Sequence, residues 1–205
     1  MTDADSARED LAYLKTLVAG EPGGGEVWRF TGRLFALGGL VYGIQCLFHG
    51  AQILGVQSPG PVTLFFLGAP TVIFLIYMTY AIIKSGNAIK PKGATGRAVS
   101  AIFSSTGLMN LVFLVIFLPP TIQTGDFRIW LFYPAVVFAV LGGAWYAAWL
   151  IRKRLWMLAT GLGWMISAGL MGLTRGHAAY VLICGAALFL FMMLPGIAMA
   201  RGKAD

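Results

Sequence analysis

Six long apolar stretches follow one another along the chain and are separated by short polar segments. A helix needs about 20 apolar residues to cross the hydrocarbon core of a bilayer, and each stretch meets that length. The stretches are continuous rather than alternating and are rich in Leu, Phe, Ala and Gly, which is typical of helices and not of barrel strands. We therefore predict an all-α membrane protein, a bundle of six transmembrane helices. The predicted spans are residues 34–55, 62–83, 98–118, 129–151, 155–174 and 178–199.

Composition and charge agree with a membrane protein. Hydrophobic residues make up 58% of the 205 residues and charged residues only 11%, whereas about a quarter of an ordinary soluble domain is charged. The net charge is +7, but all except two of the 15 Lys and Arg residues lie on one side of the predicted bundle. The exceptions are Arg128 and Arg175. This asymmetry argues against nucleic acid and, by the positive-inside rule, predicts a multi-pass membrane protein with both termini in the cytoplasm.

The segment before the first span has a pattern of its own. Ser6 and Glu9 have the spacing of a capping box, and Leu11, Leu14 and Leu17 recur on one face, so we predict a short amphipathic helix. The Gly-rich sequence "GEPGGGE" would end it as a hinge. The predicted organisation is a cytoplasmic N-terminal helix and hinge (1–27), a six-helix transmembrane domain (28–200) and a cytoplasmic tail (201–205).

Two segments are candidates for binding a protein partner, namely the N-terminal helix and the basic loop at residues 84–97. The alternative for the helix is that it lies on the protein's own cytoplasmic face. The alternative for the loop is an attraction to anionic lipid headgroups. A homo-oligomer is a further possibility that the sequence leaves open.

The first span carries a stripe of polar side chains whose members recur at steps of three, four and three residues, which places them on one helix face. The third span adds two polar residues one turn apart near its middle. Such side chains must face protein or water rather than acyl chains. They either line a polar cleft or join helices by hydrogen bonds. The candidate cleft residues are Tyr42, Gln45, His49, Gln52, Thr106 and Asn110.

Small residues recur at helical spacing on two spans and predict close helix packing, because small side chains let backbones approach in lipid. On the first span they include a G-x-x-x-G pattern with Cys46 on the same ridge, and on the fourth span they recur every four residues. The predicted packing residues are Gly39, Gly43, Gly50, Ala139, Gly143 and Ala147.

Candidate chemistry inside the membrane is sparse. His49 and His177 both lie toward the outer side, and two imidazoles from different helices can hold haem or another metal, but interfacial hydrogen bonding is the favoured role and no cofactor is predicted. All eight carboxylates lie outside the spans. Proton-coupled pumps usually need an intramembrane carboxylate, and the spans contain no protease constellation, so we expect no enzymatic activity.

Two short sequences appear in both halves of the chain. "LGGLVYG" at 37–43 resembles "LGGAWYA" at 141–147, and "VFLVIFLPP" at 112–120 resembles "LFLFMMLPG" at 188–196. With three spans in each half, a real similarity would be an inverted repeat of the kind found in many transporters. The alternative is shared composition.

The segments "DLAYLKTLVAGE" and "GGLVYGIQCLFHGAQIL", together with six spans, resemble small uncharacterised bacterial inner-membrane proteins. That resemblance implies an integral protein of the cytoplasmic membrane and supplies no activity. The function expected from the sequence is a non-catalytic subunit, scaffold or regulator. The alternative is a small carrier for a neutral or amphipathic solute, and a haem- or metal-binding membrane protein is the least favoured.

Overall fold

The computed structural model describes residues 24–86 and 93–202, together with Arg8 and Leu11, and it confirms the all-α fold class. Apart from Arg8 and Leu11, the predicted N-terminal helix lies outside the described residues, as do residues 87–92 of the basic loop and residues 203–205. Six helical segments are long and apolar enough to cross a membrane. The helices are α1 (Gly24–Ile53), α2 (Gly60–Ser85), α3 (Gly93–Thr124), α4 (Phe127–Trp130), α5 (Phe132–Arg152), α6 (Leu155–Leu173), α7 (Ala178–Ala187) and α8 (Leu194–Ala200).

The helices extend beyond the apolar stretches that predicted them. Helix α1 has 30 residues, and at about 1.5 Å per residue it is about 45 Å long, against a hydrocarbon core of about 30 Å. It begins at Gly24, so the last residues of the predicted hinge are helical, with Glu26 in the first turn where a negative charge is favourable. Polar residues can continue a helix through the headgroup region, where hydropathy gives no signal.

The sixth span is interrupted by a π-helical turn, Leu188–Met193, between α7 and α8. Pro195 has no N–H to offer the carbonyl four residues before it, which belongs to Phe191. The indole of Trp164 donates to that carbonyl at 3.1 Å from α6, and Gly163 leaves room for the Phe191 ring. The irregular turn is therefore stabilised by a neighbouring helix.

Four spans form the core of the bundle, and the other two flank it. Helix α1 packs against the whole sixth span, α7 packs against α6, and α6 packs most extensively against α5. Helix α2 packs against α1, and α3 packs against α4 and α5. The largest fully buried side chains are Trp145, Trp164, Met157, Met171 and Met199, all on the core spans.

Close backbone approach holds the core spans together. A Cβ atom at Gly32 would meet the backbone of α8 at Ala200, and one at Gly196 would meet the backbone of α1 at Ala36. Gly142 of α5 and Gly161 of α6 approach each other in the same way. Such contacts bring van der Waals attraction that larger residues would prevent, and this attraction is the main source of helix association in lipid.

Candidate functional site

The C-terminal end of the α1 polar stripe forms a hydrogen-bonded cluster with the start of α2. Nδ1 of His49 lies 3.1 Å from Oε1 of Gln52. Nε2 of Gln52 donates to the hydroxyls of Ser58, at 2.7 Å, and Thr63, at 3.0 Å. The two hydroxyls are 2.8 Å apart. The structure therefore places His49 and Gln52 in the contact between α1 and α2.

The N-terminal half of the stripe, Tyr42 and Gln45, faces α2 as well. Nε2 of Gln45 donates a long bond of 3.5 Å to the Leu67 carbonyl. The Tyr42 ring lies 5.5 Å from the Phe74 ring, and its side chain is within hydrogen-bonding range of Thr71. Three stripe residues, Tyr42, Gln45 and Gln52, thus contact α2, and His49 is hydrogen-bonded to one of them.

A second hydrogen bond connects α3 to α5. The Tyr133 hydroxyl donates to Oδ1 of Asn110 at 2.7 Å, which supplies the interhelical partner that an amide in the middle of a span requires. Thr106, one turn earlier, donates to the Ile102 carbonyl of its own helix at 2.9 Å. The hydrogen-bonding need of the Thr106 hydroxyl is therefore met within α3 and not by another span.

Tyr42 thus contacts α2 and Tyr133 contacts α3, the two flanking spans. We call Tyr42, Thr71, Asn110 and Tyr133 the polar network. Its members come from α1, α2, α3 and α5. Thr71 is exposed, and the other three are half-buried. Sequence reasoning missed Thr71 and Tyr133, because a single Thr and a Tyr near a span end are ordinary in membrane helices.

Helices α2 and α3 have different neighbours in the bundle. Within the described ranges, α2 and α3 do not pack extensively against each other, although they are consecutive spans. Only 6% of the most apolar stretch of each is buried, against 22–44% in the other four spans. We call the space between these two helices the α2–α3 gap.

Helix α3 presents small residues that no other part of the described chain covers. Ser104 and Gly107 lie three residues apart and are both exposed. A Cβ atom at Gly107 would meet nothing within 4 Å. We call Ser104 and Gly107 the open ridge of α3.

The predicted packing residues of α1 all lie against the sixth span. A Cβ at Gly39 would meet the backbone at Leu188 and Met193, and one at Gly43 would meet the Phe189 ring. Gly50 has more room, since a Cβ there would lie 3.4 Å from Leu182. On the same ridge, the sulfurs of Cys46 and Cys184 are 3.6 Å apart and both residues are free thiols.

On α5 the glycine that packs closely against α6 lies one residue before the predicted packing residue Gly143. Ala139 is exposed, Ala147 is half-buried, and a Cβ at Gly143 would meet nothing within 4 Å. Gly142, one residue earlier, is buried against Gly161 and Met165. Small residues that recur every four positions form a ridge along a helix. Tertiary packing sets the rotation of the helix about its axis, and this rotation decides which ridge faces a neighbour.

The two histidines have different environments. His49 is half-buried and bonded to Gln52, while His177 is exposed at the residue that precedes α7. In the part of the chain that the structure describes, no group of three or more His, Cys, Asp or Glu side chains is placed to hold a metal ion. Comparison of the chain with family models, with curated proteins and with solved structures gives no match.

Proposed function

We propose that the protein is a non-catalytic subunit or scaffold of the membrane, and that a transmembrane helix of a partner protein packs in the α2–α3 gap. The observation that carries this proposal is the contrast in burial, since α2 and α3 are buried over only 6% of their most apolar stretches. Helix α2 has only Pro70 buried, and α3 has only Val99. Both helices offer wide faces to a neighbour.

The open ridge of α3 supports a protein neighbour over lipid alone. Small residues are enriched at helix–helix contacts in membranes, where they allow backbones to approach. On α1 the comparable residues Gly39 and Gly43 are covered by the sixth span. Ser104 and Gly107 have the same character and are exposed. A helix from a partner would cover them in the way the sixth span covers α1.

A matched pair of glycine variants tests this proposal. Gly107→Leu fills the open ridge, and Gly169→Leu adds the same side chain to an exposed position on α6, where a Cβ also meets nothing within 4 Å. Both variants should fold normally. We expect Gly107→Leu to lose a stoichiometric partner on co-purification from native membranes and Gly169→Leu to keep it. Retention of the partner by both variants, or a wild-type protein that purifies alone, would contradict the proposal.

The N-terminal helix and the basic loop remain predicted docking elements of the same partner. Most of the helix and residues 87–92 lie outside the described residues. Deletion of residues 1–23 should weaken co-purification if the helix binds the partner, and should leave it unchanged if the gap suffices.

The polar network favours a second candidate, a carrier for a small neutral or amphipathic solute. Its four members supply hydroxyl and amide groups from four spans, and solute sites of transporters commonly lie near the bilayer midplane. Asn110→Leu should then abolish uptake into vesicles while a protein lacking residues 1–26 still transports. If instead Asn110→Leu leaves uptake of every solute tested unchanged, the carrier is excluded as a function of this network.

A further inference from the structure

A groove at the basic end of the bundle combines apolar walls with positive charge. It has a volume of about 450 Å³ and lies between α1, α2 and the end of the sixth span. Leu37 and Leu40 form its wall on α1, Ile197 lines it from α8, and Tyr77 lines it from α2. Arg33 and Arg201 stand at its polar end.

The two arginines are brought together by a close contact between helices α1 and α8. Helices α1 and α8 cross at Gly32 and Gly196, and the backbone of Ala200 lies against Gly32. Arg33 and Arg201 each follow a residue of this contact, so their side chains start from adjacent backbones. Both side chains are exposed. Within residues 24–86 and 93–202, neither arginine forms an ion pair.

A third arginine adds to the positive charge at this corner. The Arg29 guanidinium lies one turn before Arg33 and packs beside Gly202, 3.3 Å from where a Cβ there would lie. Three guanidinium groups without a described carboxylate partner attract anions. Basic pockets between transmembrane helices commonly bind anionic lipid headgroups.

The apolar wall of the groove indicates that the ligand has an apolar part in addition to its anionic group. Arg33, Leu37 and Leu40 lie on one face of α1, and the groove follows this face for two turns, or about 10 Å, away from the charged end. Leu40 is 41% exposed, so the wall is open to whatever lies beside the protein. A free phosphate ion would use the arginines and leave this wall uncovered.

We propose that this groove is a binding site for an anionic phospholipid. The phosphate lies between Arg33 and Arg201, the Tyr77 hydroxyl lies beside it, and an acyl chain covers Leu37, Leu40 and Ile197. The proposal does not depend on the partner in the α2–α3 gap, because α1, α2 and the end of the sixth span line the groove and no residue of α3 does.

Native mass spectrometry of the full chain in detergent measures this binding directly. Phosphatidylglycerol is compared with phosphatidylcholine of the same acyl chains. We expect the double variant R33Q/R201Q to bind phosphatidylglycerol about thirty-fold more weakly, since each arginine near a headgroup contributes a factor of roughly five. R97Q, which removes a charge at the same end but on α3, should bind as the wild type does. Equal affinity for the two lipids, or an equal loss in R97Q, overturns the proposal.

A second variant tests the acyl-chain part of the site without changing its charge. Leu40→Trp should block the groove and reduce phosphatidylglycerol binding, whereas Leu47→Trp, at an exposed position two turns farther along α1, should not. Glycerophosphoglycerol and inorganic phosphate, which lack acyl chains, should compete only at far higher concentrations. Full competition by either one would make this an anion site rather than a lipid site, and unchanged binding by Leu40→Trp would place the lipid elsewhere.

Discussion

Asn110 illustrates what a single polar residue does in a membrane span. Its amide lies near the middle of α3, where an unsatisfied polar group costs several kcal/mol. The Tyr133 hydroxyl of α5 satisfies it at 2.7 Å. The need for a partner follows from the sequence alone. The identity of the partner does not, because it depends on which spans are neighbours and how each is rotated.

Tyr133→Phe removes this bond and keeps the ring. We expect a loss of stability of about 0.6 kcal/mol and no more than about 1.7 kcal/mol, the mean and the maximum measured for hydrogen bonds between transmembrane helices. Thermal unfolding in detergent measures the loss. Tyr146→Phe on the same helix is the control, since Tyr146 is exposed. Equal stability of the two variants would mean that the bond contributes nothing to the fold.

Gly39 and Gly143 show the limit of spacing as evidence about single residues. Both belong to an "LGG" sequence and both were predicted from small-residue periodicity. Gly39 lies against the backbone of the sixth span, while a Cβ at Gly143 would meet nothing within 4 Å. Periodicity therefore finds helices that can pack closely, and the orientation of each helix decides which glycine is in contact.

At the scale of helices, the contact between α1 and the sixth span organises the bundle. The two run antiparallel, with Gly32 and Gly196 at one end and the paired thiols of Cys46 and Cys184 toward the other. Six helices were predictable from hydropathy because each must shield its own backbone in lipid. The extension of α1 to Gly24 was not predictable, because polar residues at the headgroup level give no hydropathy signal. The π turn was not predictable either, because it depends on a hydrogen bond from Trp164 of α6.

Gly196→Ala tests the close approach of these helices. The added methyl group would overlap the backbone of α1 at Ala36, and backbone cannot move aside as a flexible side chain can. We expect a destabilisation of about 1–3 kcal/mol from overpacking. Gly143→Ala, where the methyl group has open space, should leave the unfolding temperature within a degree or two of wild type or raise it. A larger loss at Gly143 than at Gly196 would refute the packing described.

For the whole molecule, the spans pack in the order α2, α1, sixth span, α6, α5 and α3. Two pairs of contacts agree with an inverted repeat, since α1–α2 corresponds to α5–α6 and α1–sixth span corresponds to α5–α3. A third does not, because α6 packs against α7 while α2 and α3 diverge. The hypothesis of a repeat therefore remains open, and the α2–α3 gap is where the halves differ.

The orientation of the bundle is a prediction of its charge distribution. Lys and Arg are concentrated at the end that carries Arg29 and Arg201, whereas Arg128 in α4 and Arg175 in the loop after α6 lie at the opposite end. Green fluorescent protein fused after Asp205 should fluoresce in a bacterial host, while alkaline phosphatase fused after Asp126 should be active. A dark fluorescent fusion together with an inactive phosphatase fusion would mean that the protein has the opposite topology.

The central claim is that the α2–α3 gap holds a transmembrane helix of another protein, and site-specific photo-crosslinking tests it most directly. A photoreactive residue at Ser104 should capture one membrane protein in high yield from native membranes. The same residue at Ile166, which is 62% exposed on α6, should capture lipid. A Ser104 sample that captures only lipid, or only a second copy of this chain, would contradict the claim.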